Sequence, residues 1–165
     1  QQDVFLFSDT VSDNIRFGLS EQAPKDTIIQ AAMASGVHRE ILEFSHGYET
    51  RIGERGVTLS GGQKQRISIA RALIKEPEIV VFDDCLSAVD AKTEKTIIDN
   101  LYRYLNNKTA IIITHRIFST FRFDNIVVLE QGKLAEQGTH EQLMSHNGYY
   151  ADLYRLQLTE EKKEG

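Results

Sequence analysis

Apolar residues fall at helical spacing through the first part of the chain. Val11 and Ile15 mark one face of a short helix over Thr10 to Phe17, after an apolar stretch Val4 to Phe7 and a turn at Ser8-Asp9-Thr10. Pro24 suits a first helical turn, and Ile28, Ile29, Ala32 and Met33 form the inner face of a second helix that Gly36 closes. His38 to Phe44 predicts a third short helix, with a loop at His46-Gly47-Tyr48. Ser60 is a good N-cap. The residues after it place Ile67, Ala70, Leu73 and Ile74 on one face of a longer amphipathic helix, which Lys75-Glu76-Pro77 ends. Residues 1–76 show no strand-like alternation, so this part is expected to be all helical.

From residue 77 the pattern changes. Ile79 to Phe82 is a short, continuous apolar run, the signature of a strand buried on both faces of a parallel sheet. Ala91 to Leu105 reads as a helix with Thr96, Ile97, Leu101 and Leu105 inward, and Thr109 to Thr114 as a second buried strand. A short helix over Arg116 to Phe121 follows. Next come a strand over Asn125 to Glu130, a tight turn at Gln131-Gly132 and a strand over Lys133 to Gln137. Thr139-x-x-Gln142 fits a capping box opening another helix. The last helix runs from Tyr149 to Leu158 with Leu153 and Leu156 inward, and Glu160 to Gly165 forms a fraying charged tail. Alternating strands and helices over 77–165 predict an α/β sheet, and ligands on such sheets bind beyond the carboxyl ends of the strands. Asp83, Asp84 and His115 all fall there.

Composition narrows the picture. The 165 residues are 41% hydrophobic and 26% charged, the profile of one globular domain. The net charge of −5, with no Lys/Arg stripe, argues against a nucleic-acid partner. A lone cysteine, Cys85, excludes an internal disulfide. The apolar runs are strand-sized, and the N-terminus shows no signal-peptide pattern. The chain opens on Gln1 with neither methionine nor capping signal, as if it starts inside a longer protein.

Three places carry candidate chemistry. Gly61 and Gly62 fall in the first turn of the helix that Ser60 caps, where backbone N–H groups point outward and the macrodipole is positive. Without side chains, an anion can approach this backbone closely, so the pair is either a phosphate-binding device or a flexible turn before an ordinary helix. Asp83 and Asp84 end a strand expected to be buried, a costly arrangement unless a cation or strong donor meets them. Strand alternation should make the two diverge, leaving one for a metal and one for a reacting water, while Asp84 alternatively caps the next helix. His115 follows the second strand. Cys85 has no histidine partner in sequence and reads as a small packed residue rather than a catalytic thiol, and His38, His46, His140 and His146 lack metal-ligand spacing.

Five segments in one order resemble the motifs of the ABC (ATP-binding cassette) ATPases, and the resemblance spans essentially the whole chain. Gln2-Asp3-Val4-Phe5-Leu6-Phe7 is similar to the Q-loop, and Leu59-Ser60-Gly61-Gly62-Gln63 to the signature motif. Ile79 to Asp83 resembles the Walker B strand, Ser87-Ala88-Val89-Asp90 the D-loop, and Thr114-His115-Arg116 the switch histidine. The resemblance implies a partial P-loop NTPase core (RecA-like, with a parallel sheet) preceded by the all-helical ABC subdomain. It also implies ATP and Mg²⁺ as ligands and a second nucleotide-binding domain as partner, in a homodimer or heterodimer.

Carried over residue by residue, Gln2 contacts the metal and the attacking water, Asp83 holds the metal, and Asp84 orients or activates that water. His115 contacts the γ-phosphate. Ser60, Gly61, Gly62 and Gln63 complete the nucleotide pocket of the opposite monomer, which Asp90 also touches. Asp84 departs from the pattern, since active members usually have glutamate there. No P-loop G-x-x-x-x-G-K-[ST] occurs in the chain; the family places it upstream of the Q-loop.

Thr50 to Gly56 and the ending Gly148 to Leu156 resemble ABC exporters. That implies a transmembrane domain as partner and a place on the cytoplasmic face of a membrane. Thr50 to Gly56 also reads as a charged solvated turn. A soluble ABC ATPase that transports nothing, and a non-enzymatic module, are the other readings.

Overall fold

The computed structural model describes residues 4–17, 19, 23–53, 57–85, 91–117 and 122–164. The chain forms two compact units, Gln1–Ile113 and Thr114–Gly165.

The first unit opens with four helices: α1 (Val11–Arg16), α2 (Lys25–Ala34), α3 (His38–Glu43) and α4 (Gly61–Leu73). Thr10 caps α1 by accepting from the Asp13 amide, and Gly36, at φ +73°, takes the left-handed conformation that closes α2. A 3₁₀ turn over Gly47–Glu49 stands where a loop was expected. Helix α4 packs against α1 and α2, burying Ile67, Ala70 and Ile74 against Val11, Ile15, Ile28 and Ala32. The inner face of α2 is shifted from the one read in the sequence. Ala31 is buried beside Ile28 and Ala32, with Ile29 partly buried against the same cluster, whereas Met33 is exposed.

The change of pattern at residue 77 marks the start of the sheet. Strand β1 (Ile79–Asp83) pairs in parallel with β2 (Thr109–Ile113), in register from Ile79–Thr109 to Asp83–Ile113. Helix α5 (Ala91–Tyr104) makes the crossover that parallel pairing requires. It buries Ile97, Ile98 and Leu101, while Thr96, expected inward, is exposed. The strands depart from expectation in one respect. Only one face of β1 is covered: Val80 and Phe82 are buried, but Ile79 is 63% exposed and Val81 57%, with Ile111 and Ile113 of β2 at 49% and 52%. A sequence suited to burial on both sides thus has one face of β1 buried and the other largely exposed.

The second unit contains β3 (Ile126–Glu130), β4 (Lys133–Gly138), α6 (His140–His146) and α7 (Tyr149–Glu164). β3 and β4 form an antiparallel hairpin whose two turn residues, Gln131 and Gly132, both have positive φ, +48° and +73°. This is the turn geometry that matches strand twist in two-residue hairpins. The capping box at Thr139 and Gln142 forms as read, and Leu143 and Tyr150 are buried. Leu156 is exposed, not inward, and α7 continues as helix through the charged stretch to Glu164. Of the helix expected over Arg116 to Phe121, positions 118–121 lie outside the described residues.

Candidate functional site

The N-terminus of α4 is built from the residues singled out in the sequence. Ser60 Oγ accepts from the Gln63 amide at 3.2 Å, and Gln63 Oε1 accepts from the Ser60 amide at 2.9 Å. This reciprocal box satisfies two of the donors a helix start leaves open. The Lys64 amide bonds back to the Ser60 carbonyl. The donors the cap does not use are the amides of Gly61 and Gly62, and Gly61 is exposed. An anion therefore meets two outward N–H groups at the positive end of a 13-residue helix with no side chain in the way. Gln63 has little left to offer a ligand, since its Nε2 donates to Glu40 Oε2 at 3.0 Å.

That last bond belongs to a network the sequence did not reveal. The buried Arg66, on the next turn of α4, forms a two-pronged ion pair with Glu40 of α3. Its Nη1 meets Oε1 and its Nη2 meets Oε2 at 2.9 Å. Arg66 also donates to the Gly36 carbonyl at 3.2 Å and to the Gly62 carbonyl at 3.1 Å. Glu40 thus anchors both the cap and the first two turns of the glycine helix. Nothing local links residues 26 positions apart, but Ser60-x-x-Gln63 has the same form as Thr139-x-x-Gln142 and was a legible capping signal.

Asp83 closes β1, exposed and in register with Ile113. Asp84 lies beyond the strand at φ +45°, half-buried, with its amide donating to the Ile113 carbonyl at 2.9 Å. The chain therefore leaves the strand at Asp84 through a left-handed backbone step, and strand alternation does not extend to it. Aspartate tolerates that step better than most residues. Burial, aided by the adjacent Asp84 and Asp83, pushes the Cys85 thiol up to about 12, so it holds its proton at neutral pH and makes a poor nucleophile.

His115 stands two residues past β2, exposed, at the start of the second unit. Gln2 and the D-loop Ser87 to Asp90 lie outside the described residues, as do Glu54 to Gly56 of the exporter-like segment. His38 and His140, expected as ordinary surface groups, each bond a tyrosine hydroxyl through Nδ1, to Tyr48 at 2.8 Å and to Tyr150 at 2.9 Å.

Among the described residues no group of three or more His, Cys, Asp or Glu is arranged to hold a metal ion. Asp83 and Asp84 are hard oxygen donors of the kind Mg²⁺ takes when water and phosphate oxygens fill most of its shell, so the donor set fits a shared rather than an all-protein site. No helix of the described residues is long and apolar enough to cross a membrane.

The chain thus carries a capped glycine helix and a parallel strand pair that ends in two carboxylates, and comparison with known proteins gives its family. The family model described as ABC transporter matches residues 1–87, and the chain belongs to that family. It is 43% identical over 161 residues to human ATP-binding cassette sub-family B member 6, covering 98% of this chain and 19% of that protein. It is 41% identical over 170 residues to the mitochondrial iron-sulfur clusters transporter atm1 of Neurospora crassa, covering 97% of this chain and 24% of the relative.

A solved bacterial Atm1-family ABC exporter with ATP bound superposes with a TM-score of 0.84 at 40% identity, over 94% of this chain and 27% of the other. The fold is thus part of an ABC nucleotide-binding domain, and the chain spans between 19% and 27% of the length of these relatives.

Proposed function

We propose that the complete protein is an ABC exporter in which this chain is part of the ATP-binding and hydrolysing domain. The observation that carries the reading is the capping box that occupies the donors of Ser60 and Gln63 and leaves the amides of Gly61 and Gly62 outward. Exporters among the relatives support transport as the purpose. In this reading Gly61 and Gly62, with the Ser60 hydroxyl, bind the terminal phosphate of ATP held by a second nucleotide-binding domain. They act as fixed dipoles aimed at charge that grows in the transition state. Asp83 and Gln2 would hold Mg²⁺, which when bound offsets negative charge on the transferring phosphoryl group. Asp84 orients the attacking water and accepts its proton, and His115 donates to the γ-phosphate. Asp90 contacts the opposite domain. Closure of the two domains on ATP is passed to a transmembrane domain, with this chain on the cytoplasmic face of the membrane.

The test is Gly61→Asp in the complete protein reconstituted in lipid. A carboxylate at the first helical position repels the phosphate and blocks backbone approach, while a helix start tolerates an acid well. Mg·ATP hydrolysis should fall to background with the melting temperature little changed. An unaltered hydrolysis rate would return the two glycines to the status of a flexible turn.

A further inference from the structure

We propose that Gln157 is a positioning residue for His115. From helix α7 its side-chain amide grips the backbone at Ile117, two residues past the histidine, and so sets where the histidine stands. The inference rests on the reading above, in which His115 donates to the γ-phosphate.

Thr114 to Ile117 belongs to no helix or strand, so its backbone polar groups must find partners elsewhere. The Arg116 amide donates to Thr114 Oγ1 at 3.0 Å, a tie within the loop. Ile117 is tied from 40 positions away. Its amide donates to Gln157 Oε1 at 2.9 Å, and its carbonyl accepts from Gln157 Nε2 at 2.7 Å. A primary amide carries a donor and an acceptor side by side. The pair therefore reproduces both bonds that a neighbouring antiparallel strand would make with this residue. Ile117 and Gln157 are half-buried, whereas His115 is exposed. An exposed ring has little packing to hold it, so the backbone on either side decides where it starts from.

Gln157 is itself held in place. Tyr150, Tyr154 and Gln157 follow i, i+4, i+7 spacing and share one face of α7. Tyr150 is buried and its hydroxyl bonds His140 Nδ1 at 2.9 Å, while the Tyr154 ring meets the same imidazole edge-on, with centroids 4.9 Å apart. The Tyr150 amide donates to Glu136 Oε1 at 3.4 Å, and a Cβ on Gly148 would come within 2.6 Å of that oxygen. The start of α7 is therefore pinned to β4 and α6. Gln157 stands about 11 Å along the helix from Tyr150, at a place this seating fixes.

A histidine that donates to a phosphate oxygen must stay within hydrogen-bond reach, and a misplacement of about 1 Å can cost about 100-fold in rate. Without Gln157 the loop loses its hold on the C-terminal side of His115.

The test is a double-mutant cycle in the complete protein. Gln157→Leu removes both bonds and keeps the size and helix propensity of the side chain. Gln157→Asn keeps the amide one methylene short, and it stands in if the leucine variant does not fold. In either variant, amide exchange of the peptide spanning Thr114 to Ile117 should quicken about tenfold or more, with exchange along α7 unchanged. kcat for Mg·ATP should fall about tenfold or more. KM should stay within about twofold, because P-loop groups hold most of the ground-state nucleotide. In a His115→Ala background, Gln157→Leu should cost less than about twofold further, since a residue that acts through His115 then has nothing to position.

Unchanged exchange in the loop overturns the proposal. So does a full additional loss of turnover in the His115→Ala background. Full turnover by His115→Ala alone overturns the reading beneath the proposal instead, and quickened exchange would then leave Gln157 as a structural tie.

Discussion

At the scale of single residues, Asp84 is where chemistry and backbone pull apart. The family resemblance places glutamate at this position in active members, and aspartate is one methylene shorter. The left-handed φ of +45° supplies a reason for the shorter acid, because its side chain suits that conformation. If Asp84 holds the reacting water at too great a distance, Asp84→Glu should raise ATP turnover in the complete protein. It should also lower stability by about 1 kcal/mol through backbone strain. Paired with an intact signature at Ser60 to Gln63, a weak acid here fits one half of a heterodimeric exporter. Turnover and thermal melts of the variant, alone and with a partner half, check both parts. Full-rate hydrolysis by a homodimer with Asp84 in place, and no gain from glutamate, would count against the heterodimer.

At the scale of elements, α4 is held by its own arginines, Arg66 paired with Glu40 of α3 and Arg71 donating to Asn14 and to the Phe5 carbonyl. The Glu40–Arg66 pair makes the stronger claim, since the guanidinium is buried and only the carboxylate is partly open to water. Glu40→Gln removes the charge but keeps an oxygen and the shape, leaving a buried cation half satisfied. The expected cost is about 2 kcal/mol of stability. The substitution should also loosen the cap, because Glu40 accepts from Gln63 as well. Chemical denaturation gives the first number, and amide exchange at Gln63 and Lys64 reads the second. Unchanged exchange would show that the capping box stands without Glu40.

At the scale of the whole molecule, the apolar face of β1 and β2 decides how residues 1–165 behave alone. Ile79, Val81, Ile111 and Ile113 expose a contiguous patch of the kind monomers seldom leave open. The isolated chain should therefore self-associate, as light scattering would show, and Val81→Lys should reduce the association. It should also bind Mg·ATP very weakly and hydrolyse none, because phosphates are held mainly by P-loop amides and a lysine that its sequence lacks. Micromolar ATP binding by a monomer, measured by calorimetric titration, would contradict both expectations.

What the sequence determined by itself was everything governed by near neighbours. The cap at Ser60, the box at Thr139 and Gln142 and the turn at Gln131-Gly132 are set by residues at most three apart, and each formed as its spacing required. The parallel strands were legible because apolar runs of that length around a helix have few other solutions. The order of the motifs was enough to give the family.

Tertiary structure decided the rest. The Glu40–Arg66 pair and the hydrogen bond from Arg71 to the Asn14 carbonyl join residues 26 and 57 positions apart, and no local pattern says which carbonyl or carboxylate a long cationic side chain will reach. The exposure of Ile79 and Val81 depends on what lies across a face of the sheet. An apolar run shows what a strand is suited to meet, and only the packed chain shows what covers it.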